Sequence, residues 1–231
     1  MPSTRFRFTS LSGTLLGVLL AAGCAKPGPA GSPPAPQAAA SRAPDPEAVA
    51  RARADSLRNP YTEADIHFMS GMISHHAQAI LIAGWAAERD ASPSVRTLAA
   101  RIINAQRDEI ALMQQWLRER LQPVPEARPT GMKMVMNGVE HDMMMPGMLT
   151  PEQLEELRAA RGPAFDRLFL LYMIQHHRGA VEMVKTLFDS HGAGQDEIVF
   201  KFASDVNVDQ STEIARMKSM LAALAGLRRA P

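Results

Sequence analysis

The pentapeptide Met72-Ile73-Ser74-His75-His76 recurs 101 positions later as Met173-Ile174-Gln175-His176-His177, and Asp65 recurs as Asp166 at the same offset. A second match follows each copy. Gln106-Arg107-Asp108-Glu109-Ile110-Ala111-Leu112-Met113 returns as Gln210-Ser211-Thr212-Glu213-Ile214-Ala215-Arg216-Met217. The chain is one unit duplicated, and this self-similarity limits its fold more than any other feature. Each unit reads as two long helices. Thr62 caps one that runs to about Asp90, and Ser92-Pro93 starts its partner, which lasts to about Leu121. Thr150-Pro151-Glu152-Gln153 begins a short helix that stops near Gly162-Pro163, and long helices follow over about 164–190 and 195–227. A helical hairpin cannot bury its apolar stripe alone, so the two hairpins must pack on each other. The expectation is an all-α four-helix bundle over residues 47–231, without strands. The connection 122–150, broken by Pro123, Pro125, Pro129, Gly131, Gly138, Pro146 and Gly147, reads as a long loop.

A helical wheel at about 100° per residue puts Asp65, Met69, Met72, His76 and Ala83 in one stripe, with His75 at its edge. Asp166, Leu170, Met173, His177 and Val184 repeat it beside His176. On the partner helices Met113 and Gln106 share the apolar face and Glu109 borders it, as Met217, Gln210 and Glu213 do in the second copy. Imidazoles, thioethers and carboxylates thus stand where a bundle normally has Leu and Ile. Such residues can be purely structural, since Met fills cores and a buried His can bond a buried carboxylate. A ferritin-type di-iron centre needs Glu-x-x-His, and no His here has a Glu three residues before it. Thioether and imidazole suit copper, above all Cu(I), and its soft relative Ag(I). The candidate ligands in the bundle are Met72, His75, His76, Met113, Met173, His176, His177 and Met217. Asp65, Glu109, Asp166 and Glu213 are candidate carboxylates behind the imidazoles.

The connecting loop adds Met132, Met134, Met136, His141, Met143, Met144, Met145 and Met148, seven Met and one His in seventeen residues. A solvated loop has no hydrophobic reason for that composition, and a flexible segment can supply the few soft ligands that Cu(I) accepts. The single Cys excludes a disulfide framework and any Cys-based zinc or iron–sulfur site.

That Cys24 has an address of its own. Arg5 and Arg7 precede the short apolar run Leu11 to Ala22, which ends Leu20-Ala21-Ala22-Gly23-Cys24. The run is too short for a membrane span and fits a secretory leader over 1–23, with a lipobox that would make Cys24 the lipidated first residue. Residues 24–46, rich in Pro and Ala, read as a flexible tether. The formal charge of +1 falls to near −1 once Arg5 and Arg7 leave with the leader, which argues against nucleic acid as a partner. The chain is expected to be exported, on the periplasmic or envelope face, with membrane contact through the lipid alone.

Asp…Met-Ile-x-His-His followed by Gln-x-x-Glu-Ile-x-x-Met, present twice over about 60–226, resembles a bacterial family known as a domain of unknown function. The match runs through Asp65, Met72, His75, His76, Gln106, Glu109 and Met113, then Asp166, Met173, His176, His177, Gln210, Glu213 and Met217. The resemblance implies a ferritin-like four-helix bundle, and through its CopM-like members it implies periplasmic copper binding and resistance. The copies differ after the His pair, Ala77-Gln78 in one and Arg178-Gly179 in the other, so the two halves need not be equivalent. Three readings stand: an envelope copper or silver scavenger or chaperone, without turnover; a ferritin-like metal-dependent oxidoreductase; and a structural envelope lipoprotein without metal. A metal-efflux system or an oxidase of the envelope is the partner class that the first reading leaves open.

Overall fold

The computed structural model describes residues 43–136 and 139–227, the side chains of Val135, Met136 and Leu227 excepted. The leader, most of the tether and Cys24 lie outside the described residues, and so does the expectation that the Met136 side chain is a ligand. Six α-helices and one hairpin follow in order: α1 Pro46–Arg58, α2 Glu63–Gly84, α3 Pro93–Glu119, β1 Met132–Met136, β2 Val139–Met143, α4 Pro151–Ala159, α5 Gly162–Asp189 and α6 Glu197–Leu227. The fold is an all-α bundle of α2, α3, α5 and α6.

Local chemistry starts α2, α3, α4 and α6 where the sequence indicates. Thr62 and Asp65 form a capping box on α2, as Thr150 and Gln153 do on α4. Ser92 accepts from the Val95 N–H, and Pro93 follows at the first turn of α3. At the start of α6 the buried Asp196 carboxylate accepts from the Ile198 and Val199 N–H groups. It also accepts from the Trp116 indole at 3.0 Å and from Arg120 at 2.5 Å, tying α6 to the far end of α3. α2 packs most extensively on α3 and α5 on α6, and the two hairpins meet through α2 and α5.

Two elements depart from the sequence reading. Residues 132–136 and 139–143 are not loop but a pair of antiparallel strands, with Met132 opposite Met143, Met134 opposite His141 and Met136 opposite Val139. The expectation of no strands is corrected here. The period-2 pattern Met-Lys-Met and Val-Glu-His-Asp-Met around Asn137-Gly138 is a hairpin signal that helix-period reading passes over. α1 begins at the end of the Pro-rich tether, where Asp45 caps it and Pro46 occupies its first turn.

Candidate metal centre

Periodicity divides the bundle interior into three levels. Along α2, Phe68, Met69, Met72 and Ile73 join one buried apolar cluster, and Ala79, Ile82 and Ala83 join another. His75 and His76 fall between them. α5 runs the opposite way, its Phe165 to Ile174 stretch in the second cluster and its Ala180 to Leu187 stretch in the first, with His176 and His177 between. α3 places Gln106 and Glu109 between Ile102 and Ile110, and α6 places Gln210 and Glu213 between Val206 and Met217. The core is apolar at both ends and polar across its middle.

In that layer the repeat becomes an approximate two-fold arrangement. His76 Nε2 stands 2.6 Å from Glu109 Oε2, without the alignment of a hydrogen bond. His177 Nε2 donates to Glu213 Oε2 at 2.7 Å. Between these pairs the His75 and His176 rings lie 3.8 Å apart at 37°. His75 Nε2 donates to the Pro146 carbonyl at 3.1 Å, since a carbonyl can only accept. Burial, and then the neighbouring imidazoles, hold His75 and His176 well below the ordinary imidazole range. Both are neutral at physiological pH, the form in which imidazole binds a metal.

Most of the protein's buried, unpartnered polar atoms among the described residues lie in this layer. They include Nδ1 of all four His, Nε2 of His176, Gln106 Oε1 and Gln210 Oε1, beside the unaligned His76–Glu109 pair. An orphaned buried polar group costs about 1–3 kcal/mol, so seven such atoms in one layer are a cost that a further partner would relieve. Thioethers flank them. In an antiparallel hairpin where His76 meets Glu109, Met72 and Met113 come level, each one turn away. Met173 and Met217 stand likewise beside His177 and Glu213, and all four Met are fully buried. No group of three or more His, Cys, Asp or Glu among the described residues is arranged to hold a metal, so a ligand set built here must draw on sulfur. The donors present, two thioethers and one imidazole in each half beside the neutral His75 and His176, fit a soft monovalent ion. Glu109 and Glu213 lie against His76 and His177, where a carboxylate fixes the ring tautomer.

Asp65 and Asp166 do not, and that expectation is corrected. Asp65 accepts from the Thr62 N–H and hydroxyl and from the Gly194 N–H in the α5–α6 connection. Asp166 accepts from the Ser92 N–H in the α2–α3 connection. Each carboxylate fastens the opposite hairpin's turn, three helical turns from the imidazoles.

The Met-rich connection is also ordered rather than a solvated, flexible segment. Met132, Met145 and Met148 are buried in the first apolar cluster, Met134 and Met143 pack against it, and Met144 and His141 are exposed. The Met145 N–H donates to Met148 Sδ at 3.2 Å, and a Cβ on Gly71 would fall 2.6 Å from Met145 Sδ. Gln78 binds both Leu149 N–H and C=O, and Gly147 lies against Gly179, which has room for no Cβ. The Gln78/Gly179 difference between the copies is therefore the seat of the connection that joins them. Sequence reading missed this clasp and the His75–Pro146 contact, because both depend on where a 29-residue connection lands.

A DUF305 protein of Streptomyces coelicolor, described as secreted, is 27% identical over 70% of this chain and 94% of its own, with a TM-score of 0.58. A DUF305 fragment from Deinococcus radiodurans is 28% identical over 71% and 98%, with a TM-score of 0.57. CopM in its Cu(I)-bound form is 28% identical over 69% and 96%, with a TM-score of 0.52, and CopM has also been solved in Cu(II)-bound, Ag-bound and apo forms. Comparison with curated proteins gives no match. The pattern of "Domain of unknown function (DUF305)" matches residues 65–221, from the capping Asp of α2 into the last turns of α6, and the chain belongs to that family.

Proposed function

We propose that this protein is an exported, lipid-anchored carrier that takes Cu(I) or Ag(I) as cargo in the polar layer of its bundle and contributes to metal tolerance of the cell envelope. The observation that carries this reading is the layer itself: four buried imidazoles with unpartnered Nδ1 atoms, flanked by four buried thioethers. Met72, His76 and Met113 serve one half-site, and Met173, His177 and Met217 the other. His75 and His176 lie between them, and Glu109 and Glu213 orient the outer imidazoles. The similarity to CopM, solved with copper and with silver, supports the choice of ion. The leader-like start and the Streptomyces relative support export. No helix among the described residues is long and apolar enough to cross a membrane, and the lipobox-like Leu20-Ala21-Ala22-Gly23-Cys24 supports Cys24 as the anchor. Cargo is held and released without conversion, and sustained oxidation of an added reductant by copper-loaded protein would argue for an enzyme instead.

The test is a Cu(I) titration of the chain lacking residues 1–24 against a competing chromophoric chelator, with elemental analysis in parallel. Binding tighter than roughly micromolar, about −8 kcal/mol, is expected. His76→Ala with His177→Ala should weaken it at least tenfold. If those variants lower only the melting temperature and leave affinity intact, the imidazoles are structural and the reading fails.

A further inference from the structure

The hairpin sorts its residues by chemistry. Directly opposed residues of antiparallel strands share a face. Met132 with Met143 and Met134 with His141 therefore lie on one side, and Lys133 with Asp142 on the other. Ion pairs fix the charged side independently: Lys133 pairs with Glu140, and Arg128 reaches Asp142 at 3.6 Å. The opposite side carries, among the described soft side chains, three thioethers and one imidazole, graded from core to solvent. Met132 is only 9% exposed, Met134 and Met143 are half-buried against the first apolar cluster, and His141 is exposed.

We propose that Met134, Met143 and His141 form a second soft-cation site on this face, separate from the mid-bundle layer, which captures Cu(I) or Ag(I) from solution. The proposal rests on the reading of the chain as a soft-cation binder. Met134 and His141 are directly opposed, and Met143 lies two residues along the strand from His141, on the diagonal from Met134. Side chains in those positions start about 5–8 Å apart, within mutual reach of long thioethers and an imidazole. Cu(I) accepts such a set at low coordination. Among the described side chains, only these three of the connection's soft residues combine a shared face with access. Met132, Met145 and Met148 are core, and Met148 Sδ accepts from the Met145 N–H. Met144 follows β2 in the chain and is 41% exposed. The hairpin also covers the sulfur-rich end of the bundle. Seven buried Met line the cluster beneath it (Met69, Met72, Met113, Met132, Met145, Met148 and Met183), against Met173 and Met217 in the other. A soft ion captured at the face thus stands above a thioether-lined interior.

The experiment titrates the chain lacking residues 1–24 with Ag(I) and with Cu(I), following stoichiometry, helix content and the methionine methyl resonances. The variants are Met134→Leu with Met143→Leu and His141→Ala, and separately Met72→Leu with Met113→Leu and His76→Ala. The first set should lose about one equivalent with unchanged helix content, while the second keeps that equivalent. In the unaltered chain the Met134 and Met143 methyls should shift together with the same equivalent. Unchanged stoichiometry and affinity in the first set overturns the hairpin site and leaves the bundle reading standing. Absence of binding by the unaltered chain overturns both.

Discussion

Each buried imidazole of the central layer answers to a different neighbour, and the differences are measurable. His75 and His176 are kept neutral first by burial and then by the other imidazoles, so the folded protein resists protons that the unfolded chain accepts. The unfolded imidazole titrates near 6.5. Below that pH the unfolded state gains protons while these two sites stay neutral, so stability falls as pH falls. Each site contributes about 1.4 kcal/mol per pH unit until its own depressed value is reached. Urea denaturation between pH 7.5 and 5 should show this slope, and His75→Phe should flatten it; a flat profile in the unaltered chain would contradict the buried, neutral pair. The His-bearing positions were legible in the sequence because the repeat marks them twice. The error at Asp65 and Asp166 has a physical origin. A helical wheel projects along the axis, so Asp65 shares a stripe with His76 while standing about 16 Å away at 1.5 Å per residue. Capping chemistry, Thr62 three residues before Asp65, was the signal that assigns that carboxylate to the helix start.

At the scale of elements, the departures from the duplicated pattern are where the connection docks. Gly179 takes the place of Gln78, and a Cβ there would fall 1.9 Å from the Pro146 carbonyl oxygen. The opposing chain is backbone and cannot swing aside. Gly179→Ala should cost about 1–3 kcal/mol, lowering the melting temperature by roughly 3–10 °C, and should speed amide exchange in residues 145–149. Gly84→Ala is the control, since nothing lies within 4 Å of a Cβ there. It should stabilise by about 0.4–1 kcal/mol through the unfolded chain. Equal effects of the two substitutions would mean that the connection is not seated on α5. Helix ends were readable from Thr62, Ser92-Pro93 and Thr150-Pro151 because capping is local. The hairpin was also written locally, around Asn137-Gly138, but Met carries no strand preference and its density suggested ligands before pairing. Gln78 and Gly147 could not be paired from sequence, since their meeting depends on the path of the whole connection.

Across the whole molecule, the two-fold relation gives each helical hairpin its own His–Glu pair, with His75 and His176 at the junction. The four-helix architecture was legible because duplication dictates it. That the polar residues form one layer, dividing the apolar core in two, follows from the antiparallel passage of α2 and α5 and is visible only in the fold. A protein so divided leaves orphaned polar atoms at its centre, and under the proposed function a bound ion satisfies them only in the folded state. Ag(I) or Cu(I) at a free concentration a hundredfold above Kd should therefore stabilise the fold by about 2.7 kcal/mol per independent site. That corresponds to a rise of roughly 5–10 °C in melting temperature for a domain of this size. His76→Ala should remove one half-site's share and His177→Ala the other's, and the double variant should lose the sum, because the half-sites share no ligand. Differential scanning calorimetry with and without Ag(I) measures all four species. Loss of the entire metal-induced rise in either single variant would show that the halves act as one shared site centred on His75 and His176.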